Sequence, residues 1–212
     1  MTLDVIYFFK TRNERLQNEY FSNRSQRRSY CGLKFLHLIT DRDDNQLNEF
    51  EKCFAINCIE FGLHKILSLN ELDAIDDSVS RCVDIKLIQK ICSAKDQEFF
   101  QKKKLLRFWS KAAVQGIERI VIGNMNSNHY LEDIEERKVE TIPDLCAHKW
   151  SHIHCMGFLN RFFTFMKECM TEENIIYEFH FKSGEDFVVC NRFNPERRTP
   201  IILPQFYTQS KN

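Results

Sequence analysis

Two short motifs carry the residue types that could do chemistry, and ten residues separate them. The first is Glu71-Leu72-Asp73 and the second is Asp84-Ile85-Lys86. If both lie on strands, the two acids of the first motif share a face, and so do the acid and the lysine of the second. Neighbouring strands lie about 4.8 Å apart, so their carboxylates can converge on one or two divalent cations. Hard oxygen ligands of this kind select Mg²⁺ or Mn²⁺ over zinc.

A lysine two residues after the last carboxylate would lie beside the bound cation. There Lys86 can orient or help deprotonate an attacking water, or hold a phosphate oxygen, while two metal ions can clamp the attacking and leaving oxygens of a phosphoryl group. The same spacing also fits a solvated strand edge on which the lysine only pairs with the acids. From the residues themselves both interpretations stay open.

Apolar periodicity predicts the elements that would position these motifs. Asp96 is the expected N-cap of a long helix over residues 97–115, with Gly116 as its stop. A second long helix is expected over residues 152–170. Further expected elements are a helix over residues 33–39, a loop over 124–140, and strands over 5–9, 53–61, 66–69, 80–88, 120–122, 175–181 and 187–191. This order predicts one α/β (α+β) domain over residues 1–212, with a mixed β-sheet core flanked by helices.

Composition and charge exclude several classes of protein. Thirty Lys and Arg balance thirty Asp and Glu, which excludes a dedicated polycation but allows a local basic groove. Six Gly and four Pro disfavour a turn-rich all-β architecture. The nine cysteines contain no CxxC pair, which disfavours a disulfide framework or a zinc ribbon. Without a signal-peptide pattern or a membrane-length apolar run, we expect a soluble intracellular protein with reduced thiols and no membrane partner.

Two further groups of side chains have to be weighed as sites. The first is a set of soft metal ligands: Cys146, His148, His152, His154 and Cys155. Their spacing fits no closed four-ligand zinc pattern, so a helix start around a buried cysteine is favoured. The second is a set of basic residues on one side of the first long helix: Lys102, Lys103, Lys104, Arg107 and Lys111. Such charge runs are usually solvated faces, but if the carboxylate site is real, these cations follow its second motif and could track a phosphate backbone.

Taken in order, the motifs resemble the DXO-type decapping nuclease family, metal-dependent enzymes that act on RNA 5′ ends. Leu69-Asn70-Glu71-Leu72-Asp73 resembles the family's Gly-Glu-x-Asp strand, and Val83-Asp84-Ile85-Lys86 resembles its Val-Glu-Leu-Lys strand. Further stretches match in the same order: residues 104–109, 116–123, 150, 155–158 and 202–204. The likeness extends from about Leu3 to Tyr207 and implies a PD-(D/E)xK-like nuclease core.

The resemblance implies a role for each matched residue. Glu71, Asp73 and Asp84 would be catalytic carboxylates that bind Mg²⁺ or Mn²⁺, and Ile85 would add its main-chain carbonyl. Lys86 would be the catalytic lysine beside the scissile phosphate. Substrate contacts would come from Glu71, Lys86 and Lys111, the last at a position where the family has a glutamine.

Departures from the family pattern leave two functions open. Gly32-Leu33-Lys34-Phe35-Leu36 stands where the family has Gly-x-x-Phe-Glu, so Leu36 replaces a ligand glutamate, and Asp84 replaces another glutamate. The family's N-terminal region, which supplies an Arg motif and part of the substrate pocket, has no counterpart before Leu3.

The first hypothesis is a hydrolase that removes NAD caps or incomplete caps from RNA 5′ ends and also acts as a 5′-to-3′ exonuclease. The resemblance places it in the nucleus, with a 5′-to-3′ exoribonuclease as partner and no DNA substrate. The second hypothesis is an impaired pseudoenzyme that keeps the fold and binds RNA or another protein.

Overall fold

The computed structural model describes residues 23–40, 53–76, 78–79, 81–172, 175–182 and 184–193. The chain forms two compact units, Met1–His152 and Ile153–Asn212. The strand predicted over residues 5–9 and the family match at residues 202–204 lie outside the described residues. Among the described helices, none is long and apolar enough to cross a lipid bilayer.

A four-stranded mixed sheet forms the centre of the first unit. Its order is β3-β4-β5-β6, with β3 Ala74–Asp76, β4 Arg81–Gln89, β5 Arg119–Met125 and β6 Leu131–Lys138. The central strands β4 and β5 are parallel, and both outer strands are antiparallel to their neighbours. This confirms the predicted mixed sheet with flanking helices. Parallel neighbours need a long crossover connection, and a helix supplies it here.

The crossover from β4 to β5 is a continuous helical segment with a π-helical turn in its middle. It consists of α2 (Ala94–Phe99), the π-helical residues Phe100–Leu105, and α3 (Leu106–Gln115). Gly116 ends α3 in the left-handed conformation, as expected, with φ 68°.

The N-cap of this helix is Ser93, so the prediction of Asp96 is wrong. The Ser93 hydroxyl oxygen accepts a hydrogen bond from the Asp96 amide, and the hydroxyl donates in turn to the Asp96 carboxylate. Asp96 is therefore the third helical residue of a reciprocal cap, and the helix begins one turn earlier than its acidic residue suggested.

A β-hairpin precedes the mixed sheet and leads directly into it. Strands β1 (Cys53–Phe61) and β2 (His64–Leu72) pair antiparallel around a two-residue turn, in which Gly62 adopts φ 58°. One face of the hairpin contacts the end of α3, where Asn57 donates to the Gln115 carbonyl at 2.8 Å. The strands predicted over residues 53–61 and 66–69 are confirmed, and the second is longer than predicted. Since β2 ends at Leu72 and β3 begins at Ala74, the hairpin fixes the position of Asp73.

The loop predicted over residues 124–140 is wrong, because β5 continues to Met125 and residues 131–138 form strand β6. Its sequence is Leu-Glu-Asp-Ile-Glu-Glu-Arg-Lys, and six of its eight side chains are exposed. In the described sheet it is an edge strand that pairs with β5 alone, and charged side chains are typical of such strands. Apolar alternation therefore could not reveal it.

Apolar side chains from two helices pack against the central strands. On β5, Ile120 and Ile122 are fully buried, and α3 adds the buried Trp109 and Ala112. Helix α1 (Asn23–Ile39) contacts β4 and begins earlier than the predicted residue 33. Its Phe35, only 3% exposed, packs against Gly123 of β5. The central strands are therefore held between two helices.

We expect Gly123→Ala to destabilise the protein by about 1–3 kcal/mol, because the core has no room for another methyl group. A Cβ at Gly123 would lie 2.6 Å from the Phe35 ring, which is itself buried. Chemical denaturation measures the loss. Gly32→Ala is the matched control, since nothing lies within 4 Å of its Cβ position. Alanine within α1 should stabilise the protein by about 0.5–1 kcal/mol. Equal effects of the two substitutions would contradict the packing argument.

The remaining described elements follow β6 in chain order. A 3₁₀ turn (Val139–Thr141) and the short α4 (Ile142–Leu145) follow β6. Helix α5 (His152–Cys169) leads into the second unit, where β7 (Ile176–Phe181) pairs antiparallel with β8 (Val188–Phe193). Phenylalanines spaced along α5 pack edge-on or tilted against phenylalanines of β7, with ring centroids 5.7–5.9 Å apart. They form the apolar contact surface of this unit.

Candidate metal centre

The register of β3 on β4 brings the two acidic motifs together. Ala74 pairs with Val83, so one residue further along the same register Asp73 lies opposite Asp84. Asp73 sits in the bend between β2 and β3, and its Oδ2 accepts a hydrogen bond of 2.7 Å from the Ile85 amide. The Asp73 carboxylate thus accepts a hydrogen bond from the β4 backbone just outside β3, where the backbone pairing of the two strands has ended.

Asp84 is a charged residue within an apolar layer. It pairs with Ile120 and Lys86 pairs with Ile122 along parallel β5, so all four side chains share a face of the sheet. Both isoleucines are fully buried, and Asp84 is only 1% exposed. Burying an ionised carboxylate is costly unless it is paired, so this position requires cationic partners.

The Lys86 ammonium lies at the centre of three oxygen atoms. Its Nζ is 2.6 Å from Asp84 Oδ1, 3.0 Å from Asp73 Oδ2 and 3.0 Å from the Ile85 carbonyl oxygen. The Lys86 side chain is 21% exposed, so the cluster is partly open to solvent. Two carboxylates and a main-chain carbonyl are oxygen donors of the kind that hard divalent cations use.

A second ammonium reaches the same carboxylate from the crossover helix. Lys111 Nζ on α3 lies 3.1 Å from Asp84 Oδ1, and its side chain is 39% exposed. The family resemblance assigned Lys111 to the substrate, and that role stays a prediction. What the structure adds is an ion pair between α3 and β4, which no sequence spacing indicated.

The two aspartates have pKa values displaced in opposite directions. Burial raises the pKa of Asp84, and the attraction of Lys86 and Lys111 does not fully offset it. Burial also acts on Asp73, but the charge of Lys86 and the hydrogen bond from the Ile85 amide outweigh it and lower the pKa. Neighbouring carboxylates separated in this way are typical of functional sites, although structural ion pairs produce the same effect.

The donor set fits one divalent cation. The second Asp84 oxygen, Oδ2, is buried and accepts no hydrogen bond from the described residues. It is therefore the oxygen of this carboxylate that the two lysines leave without a hydrogen bond, since both of them donate to Oδ1. In the described part of the chain, no three His, Cys, Asp or Glu side chains come together as a metal-ligand group. Mg²⁺ commonly takes one or two protein carboxylates and completes its shell with water and phosphate oxygens.

Two of the predicted positions stand apart from this cluster. Glu71 is exposed near the end of β2 and pairs with Phe54 in the hairpin rather than with a strand of the mixed sheet. Its roles as metal ligand and substrate contact stay predictions. Leu36 is half-buried on α1 and carries no ligand atom.

The other two groups of side chains are placed as follows. Cys146 is fully buried at the end of α4, and the His152 ring lies edge-on to Trp109 with centroids 6.3 Å apart. On the crossover helix, Lys102, Lys103 and Arg107 are exposed. Lys104 is half-buried, and burial together with the nearby charge of Arg28 lowers its pKa. The basic side of the helix is therefore available to an anion, with Lys111 engaged at its far end.

Comparisons with known proteins indicate a family. The sequence model described as "RAI1 like PD-(D/E)XK nuclease" matches residues 2–208. The decapping and exoribonuclease protein of Xenopus laevis is 27% identical over 205 residues, which cover 88% of this chain and 50% of that protein. The decapping nuclease RAI1 of Yarrowia lipolytica is 28% identical over 159 residues, which cover 72% of this chain and 44% of that protein. The chain thus spans about half the length of these curated relatives.

Solved structures show the same fold. The Scheffersomyces stipitis Rai1 crystal structure with (3'-NADP)+ and calcium has a TM-score of 0.72 at 18% identity, covering 87% of this chain and 55% of that one. The Candida albicans Rai1 structure with pU5 and Mn²⁺ has a TM-score of 0.73 at 17% identity, and the match covers 86% of this chain and 56% of that one. At these identities the likeness concerns the fold, which agrees with the predicted PD-(D/E)xK core.

Proposed function

Because the chain belongs to the RAI1-like PD-(D/E)XK nuclease family, we propose that it is a divalent-metal-dependent hydrolase acting on RNA 5′ ends. The observation that carries the proposal is the convergence of Asp73, Asp84 and the Ile85 carbonyl around the Lys86 ammonium. A buried carboxylate with an unused oxygen, beside a lysine in a partly open cluster, is suited to binding a cation and a phosphate together.

Each residue of the cluster has a distinct task in this mechanism. Asp73 and Asp84 would hold the cation with the Ile85 carbonyl, and the hydrogen bond from the Ile85 amide orients the Asp73 carboxylate. When bound, Mg²⁺ or Mn²⁺ supplies Lewis-acid polarisation of a phosphoryl oxygen and acidifies a water ligand. Lys86 donates a hydrogen bond to a non-bridging phosphate oxygen or to the attacking water. It thereby stabilises the charge that develops in the transition state.

We propose NAD-capped and triphosphate-ended RNA as substrates, with 5′-to-3′ exonuclease action on the exposed strand. The Candida albicans relative was crystallised with pU5 and Mn²⁺, and the Scheffersomyces stipitis relative with (3'-NADP)+ and calcium. Those ligands support a nucleotide 5′ end as the bound group. On the family resemblance alone, we also propose a nuclear location and a 5′-to-3′ exoribonuclease partner.

Removing the metal should abolish cleavage of every RNA end. The test uses purified protein with Mn²⁺ and labelled RNAs that end in NAD, triphosphate or monophosphate. We expect EDTA to stop product formation and excess Mn²⁺ to restore it, because the protein supplies only part of the coordination shell. The end that is removed identifies the substrate. Cleavage that continues unchanged in EDTA would contradict metal dependence.

A pseudoenzyme that binds RNA is the second candidate, and two observations favour it. Leu36 supplies no ligand, and the Lys111 ion pair already balances part of the charge on Asp84. In that case folded protein should retain RNA on a filter yet cleave none of the three RNA ends in Mn²⁺. Cleavage that requires the cation would exclude this candidate.

A further inference from the structure

Two ammonium groups share one oxygen of Asp84, and they differ in what else they contact. Lys86 touches both carboxylates and the Ile85 carbonyl, so it lies where those three oxygens converge. The ion pair of Lys111 is with Asp84 alone among the described residues, at 3.1 Å, and it approaches from α3. The two lysines therefore hold different positions around the same carboxylate.

The charges of this cluster balance before any metal ion binds. Asp73 and Asp84 contribute two negative charges, and Lys86 and Lys111 contribute two positive charges. No third described carboxylate joins these two as a ligand group. A divalent cation would therefore add positive charge beside ammonium groups, and in a buried setting such repulsion is screened little by salt. A phosphate anion that binds with the cation would restore the balance.

We propose that Lys111 sets the cation occupancy of this site. Its ammonium is the second positive charge on Asp84, so the site takes a single Mg²⁺ or Mn²⁺, bound weakly alone and tightly together with an RNA phosphate. The inference rests on the proposed function in one respect, namely that Asp73 and Asp84 hold a divalent cation. Lys111 is thus a positioning residue that acts through Asp84 and makes cofactor binding depend on substrate.

Direct titration of Mn²⁺ tests this without measuring activity. Electron paramagnetic resonance counts free Mn²⁺, and calorimetry gives the affinity, both with the intact chain. We expect one Mn²⁺ per wild-type chain. In Lys111→Gln the dissociation constant should fall at least ten-fold, equivalent to about 1.4 kcal/mol. Lys111→Met keeps the apolar part of the side chain and should lower the Mn²⁺ dissociation constant by the same factor. This second variant keeps the test valid if Lys111→Gln fails to fold.

Two controls separate this effect from a general change of charge. Lys111→Arg keeps the cation and should bind Mn²⁺ as the wild type does. Lys103→Gln removes the same charge from the same helical segment, at an exposed position about 12 Å along the axis, and should leave Mn²⁺ affinity unchanged. A 5′-phosphorylated RNA with phosphorothioate linkages should tighten Mn²⁺ binding strongly in the wild type and less in Lys111→Gln.

The outcomes distinguish this inference from the proposed function. Unchanged or weaker Mn²⁺ affinity in both neutral variants would show that Lys111 is only a structural ion pair and would overturn the inference. Two Mn²⁺ ions per wild-type chain would overturn it as well. Absence of Mn²⁺ binding by the wild type and by Lys111→Gln would overturn both proposals. The expected titrations in a protein that cleaves no RNA end would contradict the proposed function alone.

Discussion

Lys86→Ala should lose RNA cleavage by about 10²–10⁴-fold in kcat, the range typical of a group that donates to or accepts from the reacting atoms in the transition state. We expect this loss because of where Lys86 lies. Among the described residues, its Nζ is the one ammonium nitrogen within 3.0 Å of both the Asp73 and the Asp84 carboxylates. Single-turnover cleavage of the preferred RNA end in Mn²⁺ measures the effect, because it isolates chemistry from product release.

Lys86→Ala should also gain more thermal stability from Mn²⁺ than the wild type does. Among the described residues, removing the ammonium leaves Asp73 without its ion pair and leaves Asp84 paired with Lys111 alone. The metal-free variant should therefore unfold at a lower temperature than the wild type, and Mn²⁺ should raise its melting temperature by more, since the cation replaces the lost charge. Fast cleavage by Lys86→Ala would exclude a catalytic lysine at this position.

Lys90→Ala is the matched control for Lys86→Ala. Lys90 follows β4 directly, is exposed, and pairs with Glu132. An exposed pair of this kind contributes about 0–1 kcal/mol, and it lies outside the oxygen cluster. Cleavage and the Mn²⁺ response should both stay at wild-type values. A similar loss in the two variants would indicate a general effect of strand charge.

Asp84→Asn should remove the effect of Mn²⁺ on stability and abolish cleavage. Asp84 is the most buried member of the cluster, and both lysines pair with its carboxylate. An amide keeps the shape but supplies no negative charge, so Lys86 and Lys111 repel each other in the metal-free protein. Breaking a buried ion pair from one side typically costs about 3–5 kcal/mol. Thermal and chemical unfolding, with and without Mn²⁺, measure both effects.

An exposed aspartate provides the comparison for Asp84→Asn. Asp133 lies on the edge strand β6, so Asp133→Asn removes the same charge without touching the cluster. Its stability should change by less than about 0.5 kcal/mol, as for most surface substitutions. Its Mn²⁺ response should match the wild type. If Asp84→Asn kept the full Mn²⁺ stabilisation, the cation would bind elsewhere and the proposed metal centre would be wrong.

Local sequence determined the residue types of this site and most of the elements around it. The alternating residues of β1 and β2, the apolar run at Ile120 and the Gly116 stop of α3 each depend on neighbours along the chain. The two acidic motifs indicate metal ligands through their residue types and their spacing, both of which are visible in the sequence. Edge strand β6 was missed because its pairing with β5, rather than any apolar pattern, makes it a strand.

Tertiary structure alone decided which charges meet. Asp73 reaches β4 from a bend, and its partner there is a main-chain amide, for which no side-chain pattern exists. Glu71, two residues away, pairs within the hairpin because β2 ends at Leu72. Lys111 meets Asp84 across 27 residues since the crossover helix returns over the face of the sheet that carries the buried aspartate. The spacing of residues along the chain identifies candidates for such a cluster. The net charge of the cluster depends on distances between separate elements, so it is set by how the helix packs on the sheet.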